Sequence, residues 1–338
     1  MNHSVRIGLM GFGRIGRNIF RLGYDNRSLE FVAISDLGQP ETLQYLLLND
    51  SVHGQFEVDA SVSDSYLKVG SQKVRLLPGG KPSEIPWDMM DVDLVIDSTG
   101  VLWLSDEVDA YRSQSTRTII TNPETPLVDR IVVLGVNEDE ISHEDRIISP
   151  SSSTTQVLAL MLKILDEQFG VENAMMTTVH AYTSDQPLAD NTRVRRRRSR
   201  SAVENIIPNE TPSPRLVEAM FPHLRGKVAG TAFNVPVPDG SCVDLTTELK
   251  KMPTVEEVNN AVRLRAESDM AGIAGYTEDP IVSSDVIGSG ESMIFDAKAT
   301  MIAADQFLKT VCWYDNGWGY SRRILELVGA YAGLGGAR

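Results

Sequence analysis

A glycine-rich turn near the start of the sequence is the first feature that could do chemistry. Gly11, Gly13 and Gly16 form the pattern GxGxxG, directly after the β-type run of residues 5–9. In this pattern the first glycine permits a tight turn, the second lets the backbone approach a pyrophosphate, and the third lets the next helix pack closely. The start of that helix offers N–H groups and a partial positive charge to phosphates. The turn therefore predicts a dinucleotide site.

An acidic residue follows at the distance that such a site requires. A second β-type run, residues 31–34, leads to Asp36, about 20 residues past Gly16. A carboxylate there accepts hydrogen bonds from both ribose hydroxyls and repels a 2′-phosphate, which favours NAD. A lone GxGxxG leaves open an ordinary turn without a ligand, whereas strand, turn, helix and acid together favour nucleotide binding.

Hydroxyl side chains are concentrated at mid-chain, where residues 149–155 read SPSSSTT. An apolar pattern of helical spacing follows and stops at Gly170, a residue type that commonly ends helices. Two interpretations are open. The hydroxyls are simple capping residues, or the start of this helix is an anion site with a nucleophile at its centre.

The elements around these residues predict an α/β protein with two domains. Strands and helices alternate up to about residue 150, an ordinary domain size, which indicates a doubly wound parallel sheet. Its buried strand at residues 93–100 ends in Ser98, Thr99 and Gly100, at the edge where open parallel sheets bind ligands. Later β-type runs at 175–180, 231–235 and 242–248 indicate a mainly antiparallel sheet, and Thr254 begins a capping box that opens a helix.

Composition narrows the class of protein. The chain has 338 residues, a net charge of -14 and 42% hydrophobic residues. It has no apolar run of transmembrane length and no secretory signal, and two cysteines, Cys242 and Cys312, favour a reducing, cytoplasmic compartment. The negative charge argues against nucleic acid and membrane partners. The arginine run at 193–200 is the exception. It favours a loop that meets an anionic cofactor, a substrate or a partner's acidic surface, and a merely solvated loop is the alternative.

Landmarks along the whole chain resemble the phosphorylating glyceraldehyde-3-phosphate dehydrogenase family, including its erythrose-4-phosphate branch. No single motif is decisive, but their order and approximate spacing agree from end to end. They are GFGRIGR at 11–17, DSVHG at 50–54, STG at 98–100, GVN at 135–137, STT at 153–155, TVHAYT at 178–183, IIP at 206–208, VDL at 243–245, YTEDP at 276–280 and WYDN at 313–316.

The resemblance implies an N-terminal doubly wound Rossmann domain, residues 1–151 plus 315–338, and an α+β catalytic domain, residues 152–314. It implies a homotetramer in which the arginine-rich segment 184–205 packs between subunits near the cofactor. It also implies NAD contacts, with Asn316 holding the nicotinamide carboxamide. Asn191 and Thr192 stand where NAD-specific members commonly have Leu-Pro, which leaves NADP open. The implied cofactor residues are Gly11, Gly13, Arg14, Ile15, Gly16, Asp36, Ser98, Thr99, Gly100, Thr121 and Asn316.

The resemblance places Ser153 at the position of the family's nucleophilic cysteine and His180 at that of its catalytic histidine. A helix start and a histidinium can turn a thiol into a thiolate at neutral pH, whereas a serine needs a strong, positioned base. We therefore expect impaired phosphorylating activity. Ser153 is either native or an engineered replacement, but an engineered change would not explain Asn234 at the family's phosphate-binding arginine or Pro212 at its phosphate-binding glycine.

A pocket for an anion is still expected around these positions. Arg193–Arg198 could supply a contact from a new direction. The leading hypothesis is an NAD(P)-dependent aldehyde oxidoreductase that acts on a small anionic, phosphorylated metabolite; the alternative is a catalytically silent NAD-binding sensor or assembly protein. Nucleic-acid binding through the arginines is a distant third. The expected substrate residues are Ser152, Thr154, Thr183, Asp185, Arg200, Thr211 and Asn234.

Overall fold

The computed structural model describes residues 4–114, 117–125, 127–192 and 195–332. Arg193, from the arginine run, lies outside these ranges. The chain divides into two compact units: the first is Met1–Val132, Glu138–Ser151 and Ser321–Arg338, and the second is Val133–Asn137 and Ser152–Tyr320. Residues 315–320, which the sequence assigned to the nucleotide domain, group with the second unit. The reason is their hydrogen bonding, since Gly288 N donates to Asp315 at 2.8 Å and Asn316 N donates to Asp239 at 3.2 Å.

The first unit contains a nine-stranded sheet flanked by helices. Its α-helices are α1 (Arg14–Gly23), α2 (Pro40–Leu48), α3 (Ser105–Ser113) and most of α7 (Trp318–Ala332). Its strands are β1 (Val5–Met10), β2 (Leu29–Asp36), β3 (Asn49–Asp50), β4 (Gly54–Gln55), β5 (Ala60–Ser63), β6 (Tyr66–Val69), β7 (Gln72–Pro78), β8 (Leu94–Asp97), β9 (Arg117–Ile120), β10 (Arg130–Ile131) and β11 (Ile147–Ser149).

The strand order in the nine-stranded sheet is β10-β11-β9-β8-β1-β2-β7-β6-β5, and β3 and β4 form a separate two-stranded sheet. All neighbours from β10 to β7 pair in parallel, whereas β6 pairs with β7 and β5 with β6 in antiparallel fashion. The chain runs outward from β1 to β2 on one side and to β8 on the other. The carboxyl end of β1 is therefore a topological switch point, where open α/β sheets bind ligands. The predicted doubly wound sheet is confirmed.

The second unit is built on a mixed sheet of order β13-β14-β12-β15-β19-β17-β16, and β18 pairs with β19. Most pairs are antiparallel, as predicted, while β12 pairs with β14 and β16 with β17 in parallel. The α-helices are α4 (Ser153–Phe169), α5 (Ser213–Met220) and α6 (Val255–Ala266). The strands are β12 (Val171–Ala181), β13 (Ile207–Asn209), β14 (Val228–Val235), β15 (Ser241–Leu249), β16 (Ala274–Thr277), β17 (Met293–Asp296), β18 (Met301–Ala303) and β19 (Phe307–Tyr314).

Helix α4 lies in the core of the second unit. Its side chains from Thr154 to Leu162 are buried without interruption, as expected for a helix that is covered on every side. Gly170 follows its last residue with φ +71, a conformation that costs glycine least and that ends the helix as predicted. The core around α4 thereby fixes the position of Ser153, its first residue.

The described helices include none with both the length and the apolar content that crossing a lipid bilayer requires.

Candidate functional site

The three glycines of the first turn occupy three different environments. Gly11 has φ +85, and a Cβ atom added to it would lie 2.8 Å from the backbone nitrogen of Thr99. A Cβ on Gly16 would lie 2.2 Å from the carbonyl oxygen of Gly11, so only glycine lets α1 approach this closely. A Cβ on Gly13 would meet no atom within 4 Å. The open space therefore lies beside Gly13, where the pattern places the pyrophosphate.

The start of α1 offers its backbone N–H groups to this space. Gly13 is the N-cap residue, and within the described ranges no side chain caps the helix. Arg14 and Ile15 begin the first turn, both partly exposed. A helix start with uncapped N–H groups and open space in front of it suits an anionic phosphate.

Asp36 ends β2, and the backbone holds its carboxylate in place. Oδ2 accepts a hydrogen bond from Phe12 N at 2.6 Å, and Oδ1 accepts one from Gly38 N at 2.7 Å. Phe12 lies inside the glycine turn, so the acid is fixed beside the predicted pyrophosphate position. Each carboxylate oxygen keeps a second lone pair, which is what two ribose hydroxyls require.

Ser98 and Thr99 support the glycine turn from β8. Ser98 Oγ donates to the carbonyl oxygen of Gly11 at 2.7 Å. Thr99 donates to Oδ1 of buried Asp97 from both its backbone nitrogen and its hydroxyl, at 3.0 and 2.7 Å. Burial raises the pKa of Asp97, although these hydrogen bonds oppose the rise. Ser98 and Thr99 therefore fix the shape of the nucleotide-binding edge.

Gly100 and Thr121 complete the same edge. Gly100 has φ +71, and its carbonyl oxygen accepts a hydrogen bond from Asn122 Nδ2 at 3.1 Å. Thr121 N donates to the carbonyl oxygen of Asp97 at 2.9 Å. Within the first unit, the structure thus brings the predicted cofactor residues together at the carboxyl ends of β1, β2, β8 and β9.

In the second unit, Ser152 is the N-cap residue of α4. Its Oγ accepts a hydrogen bond from Thr155 N at 3.1 Å, which is the capping interpretation of the serine run. Ser153 comes next as the first residue of the helix. Its half-buried hydroxyl has no hydrogen-bond partner among the described residues. Ser153, which the resemblance places at the nucleophile position, therefore has a hydroxyl group that is available to a ligand.

Hydroxyl groups connect this helix start to the start of α5. Ser152 Oγ and Thr155 Oγ1 are 2.7 Å apart, and Thr155 Oγ1 donates to Ser213 Oγ at 2.9 Å. Thr211 Oγ1 also donates to Ser213 Oγ, at 3.1 Å. These four residues form the hydroxyl chain. It holds Thr211, a predicted substrate residue, close to the first turn of α4.

Tyr314 joins the start of α4 to the strand that carries His180. Its hydroxyl is 2.8 Å from Thr154 Oγ1 and 3.1 Å from Thr178 Oγ1. The centre of its ring lies 6.1 Å from that of His180, edge to face. Burial raises the pKa of Tyr314 to about 12, so the hydroxyl stays protonated and can donate. Tyr314 thereby fixes the neighbours of Ser153 relative to His180.

The orientation of His180 determines which ring nitrogen is the base. Nδ1 lies 2.6 Å from the carbonyl oxygen of Ala181, which can only accept, so Nδ1 carries the proton. In the neutral ring, Nε2 is then the basic atom. Asn234 pairs with His180 in the β12–β14 register, and its Nδ2 donates to the same oxygen at 3.3 Å.

Asn316 is connected to β12 through the side chain of Ser241. Its Oδ1 accepts a hydrogen bond from Ser241 Oγ at 2.9 Å, and the same hydroxyl accepts one from Ala181 N at 3.0 Å. The Nδ2 group of Asn316 is therefore the part of the amide that is left to donate. A carboxamide oxygen is a suitable acceptor for it, as the predicted nicotinamide contact requires.

Charged residues of the predicted substrate set are already paired with other side chains. Asp185 accepts hydrogen bonds from Thr183 Oγ1 and from Arg198. Burial acts to raise the pKa of Asp185, but the Thr183 hydrogen bond and the Arg198 charge outweigh it and lower the pKa. Arg200 Nε donates to Asp190 at 2.8 Å, with both side chains largely exposed. The phosphate-binding role of Thr183, Asp185 and Arg200 stays a prediction.

Sequence reasoning gave no role to Tyr314, Ser213 or Ser241. Tyr314 belongs to the WYDN motif, but the motif gave no indication that its hydroxyl contacts Thr154 and Thr178. Ser213 and Ser241 carry no local signal, because their partners are 58 and 75 residues away in the sequence. Pairings at such a separation become visible only in the folded chain.

Both halves of the chain match domains of one known protein family. Residues 5–104 match the domain described as glyceraldehyde 3-phosphate dehydrogenase, NAD binding domain, and residues 152–316 match the corresponding C-terminal domain. The glyceraldehyde-3-phosphate dehydrogenases of Priestia megaterium and Geobacillus stearothermophilus are each 40% identical over 333 residues, which cover 98% of this chain and 99% of the relative. That of Borreliella burgdorferi is 41% identical, covering 96% and 98%. The chain belongs to the glyceraldehyde-3-phosphate dehydrogenase family, whose cofactor is NAD.

Proposed function

We propose that this chain is an NAD(P)-dependent oxidoreductase that acts on the aldehyde group of a small phosphorylated or otherwise anionic metabolite. One observation carries the proposal: Tyr314 holds the helix of Ser153 to the strand of His180, while the Ala181 carbonyl fixes the His180 proton on Nδ1. The Ser153 hydroxyl has no hydrogen-bond partner in the part of the chain that the structure describes, and the basic nitrogen of His180 faces away from the Ala181 carbonyl. Such a pair suits nucleophilic attack on a carbonyl.

The residues of this chain would divide the work as follows. His180 Nε2 would take the proton from Ser153 Oγ as this oxygen bonds to the aldehyde carbon and the carbonyl π bond opens to an alkoxide. The carbonyl bond would form again as the hydride leaves the same carbon. Asn316 donates to the carboxamide of the cofactor through Nδ2. The cofactor held by the glycine turn, Asp36 and Asn316 would supply the hydride acceptor. The product of this step is an ester of Ser153.

Ser153 limits the second half of such a reaction. An oxygen ester transfers its acyl group to phosphate less readily than a thioester does, and a serine hydroxyl is much less acidic than a thiol. Neither cysteine can replace it, because Cys312 is fully buried and burial raises the pKa of Cys242 to about 11. We therefore propose that the phosphorylating reaction is impaired and that turnover, where present, is slow.

The test compares this chain with Ser153→Cys in an assay of NAD reduction, using a panel of phosphorylated aldehydes that includes D-glyceraldehyde 3-phosphate. We expect the variant to turn over at least about 100-fold faster, because a thiolate is the better nucleophile and leaving group. Cys242→Ser in the Ser153→Cys background is the control, and it should retain that rate.

Two other results would change the conclusion. Tight NAD binding without turnover in either protein would favour a catalytically silent sensor or assembly protein. Failure of both NAD and NADP to bind in calorimetry would contradict the oxidoreductase proposal altogether. The acid at Asp36 supports NAD, while Asn191 and Thr192 leave the discrimination against NADP to be measured.

We further propose a homotetramer in the cytoplasm, with segment 184–205 packed between subunits. Family membership and the low cysteine content support this proposal. Sedimentation at several protein concentrations tests the assembly, and a particle of one or two chains would contradict it.

A further inference from the structure

The sequence contains a single asparagine that is followed by glycine, and this pair, Asn316 and Gly317, lies in the turn between β19 and α7. Such a pair is chemically labile, because glycine has no Cβ atom to shield its backbone nitrogen or to restrict the backbone beside it. The Gly317 nitrogen can therefore attack the side-chain amide carbon of Asn316. The proposed function assigns this same amide to the nicotinamide carboxamide.

The reaction is a deamidation that consumes one water molecule. The Gly317 nitrogen gives up its proton and forms a bond to Cγ of Asn316, while the side-chain NH₂ group takes up a proton and leaves as ammonia. The product is a five-membered succinimide ring. Water then adds to one of its two carbonyl groups and opens the ring, which yields aspartate or isoaspartate at position 316.

The nucleophilic nitrogen is bound to an acid. Gly317 N donates to Oδ1 of buried Asp315 at 2.7 Å, and Trp318 N, at the first residue of α7, donates to the same oxygen at 2.5 Å. Oδ2 of Asp315 accepts a hydrogen bond from Gly288 N at 2.8 Å, which fixes the carboxylate from a second segment. Its negative charge opposes loss of the Gly317 proton, because a second negative charge would form beside the first.

The amide that would be attacked is also fixed. Asn316 Oδ1 accepts a hydrogen bond from Ser241 Oγ at 2.9 Å, and Ser241 is tied to β12 because its Oγ accepts one from Ala181 N at 3.0 Å. The backbone nitrogen of Asn316 donates to buried Asp239 at 3.2 Å. Ring closure requires the Asn316 side chain to move until Cγ reaches Gly317 N. The hydrogen bond from Ser241 opposes this movement.

We propose that Asn316 is a deamidation site that the fold protects, and that Asp315 and Ser241 are the residues that protect it. Deamidation then requires local opening of the turn at residues 315–318, so its rate follows the population of the open state. The product has no Nδ2 donor and carries a negative charge at position 316. Only the effect of this change on NAD rests on the proposed function.

Incubation of the full chain at pH 8, followed by peptide mass spectrometry, tests the site. Deamidation adds about one dalton to the peptide that contains residue 316. We expect the folded chain to react at least about 100-fold more slowly than the chain in concentrated urea, because only the open state reacts. In urea, Gly317→Ala should slow the reaction at least about 10-fold, because the added methyl group shields the backbone nitrogen.

Ser241→Ala tests the protection in the folded state, because it removes the hydroxyl that holds the Asn316 amide. We expect this variant to deamidate at least about 10-fold faster than the unaltered chain in native buffer, since a buried hydrogen bond is lost. The matched control, Ser292→Ala, removes another buried hydroxyl of the same unit, which donates to Gln156 Oε1 at 3.1 Å. Its rate of deamidation at residue 316 should lie within twofold of that of the unaltered chain.

Four results would overturn the assignment. They are equal rates in the folded chain and in urea, equal rates in Ser241→Ala and the unaltered chain, an equal increase in the Ser292→Ala control, and no effect of Gly317→Ala in urea. The comparison of folded and unfolded chains uses no variant, so it tests the protection even where Ser241→Ala does not fold.

Calorimetry of Asn316→Asp with NAD distinguishes this site from the proposed function. We expect NAD affinity to fall at least about 10-fold, because the donor to the carboxamide is lost. An unchanged affinity would contradict the nicotinamide contact of the proposed function, while the mass-spectrometric results would leave the deamidation site standing.

Discussion

Asn234 and His180 donate to one backbone oxygen, the carbonyl of Ala181, from neighbouring parallel strands. Asn234 is buried and also accepts a hydrogen bond from Asn209. Replacement by leucine, Asn234→Leu, removes both contacts and leaves the Asn209 amide without its acceptor. We expect the free energy of unfolding to fall by roughly 1–3 kcal/mol. Urea denaturation measures it, with the half-exposed pair of Asn173 and Glu248 as the control site, where Asn173→Leu should change little.

Alanine substitutions at two glycines of the turn should separate an effect on protein stability from an effect on NAD binding. Gly13→Ala meets open space, so the variant should fold with unchanged stability, while its methyl group occupies the position of the pyrophosphate. Gly16→Ala forces a carbon against the carbonyl of Gly11 and should destabilise the first unit by about 2 kcal/mol or more. Thermal unfolding and NAD titration of both variants check the contrast, which an equal loss of stability would contradict.

Asp36 is expected to control the choice between the two nicotinamide cofactors. In Asp36→Ser the negative charge that opposes a 2′-phosphate is removed, together with the acceptor for the ribose hydroxyls. The ratio of NAD to NADP affinity should fall at least about 10-fold, since a charged hydrogen bond is worth about 1.5–3 kcal/mol. Calorimetry with both cofactors measures this ratio. An unchanged ratio of NAD to NADP affinity would show that Asp36 does not take part in recognition of the ribose.

A thiol introduced at position 153 should react much faster than the native thiols. Burial is the main cause that raises the pKa of Cys242 to about 11, and Asp244 adds to it, so this thiol stays protonated at pH 8. A cysteine at the start of α4 should instead have a lowered pKa. Iodoacetamide at pH 7 should therefore label Ser153→Cys at residue 153 first. The rate of labelling at residue 153 should decrease as the pH is lowered, because the thiolate becomes protonated. Preferential labelling of Cys242 would contradict this prediction.

Tyr314→Phe tests the link between α4 and β12. The change removes the hydroxyl that bonds to Thr154 and Thr178, and it keeps the ring that packs against His180. Two buried threonine hydroxyls lose a partner, which should cost about 1–3 kcal/mol of unfolding free energy. In the Ser153→Cys background, kcat should fall while KM for NAD stays constant. A proportional change in both constants would indicate a wider structural effect.

The sequence predicted those parts of the fold that depend on local patterns. The glycine turn, the capping box at Thr254 and the stop at Gly170 were read correctly because each depends on a few adjacent residues. A β-type run at residues 131–134 also predicts a strand, but the bounds of that strand are wrong: β10 is only Arg130–Ile131, because Val133 N donates to the side chain of Asn137 and the chain turns there.

The site was less accessible to sequence reasoning. Position and resemblance identified Ser153, His180 and Asn316 as candidates, but the contacts that fix them come from Tyr314 and Ser241, which lie far away in the sequence. Arg200 was expected at the phosphate, and the structure pairs it with Asp190. Apolar periodicity carries no information on which cation faces which acid, so the pairing of Arg200 with Asp190 could not be predicted from the sequence.

The direction of the hydroxyl chain has an energetic consequence for any ligand at Thr211. A hydroxyl has a single proton, and that of Thr211 already points inward, to Ser213. An anion that takes this proton must break an existing bond, so the exchange yields little net free energy. The guanidinium groups of Arg196 and Arg197, which have no carboxylate partner among the described residues, break no such bond when they bind an anion. Affinity at this end of the molecule should therefore depend on ionic strength far more than on the threonine.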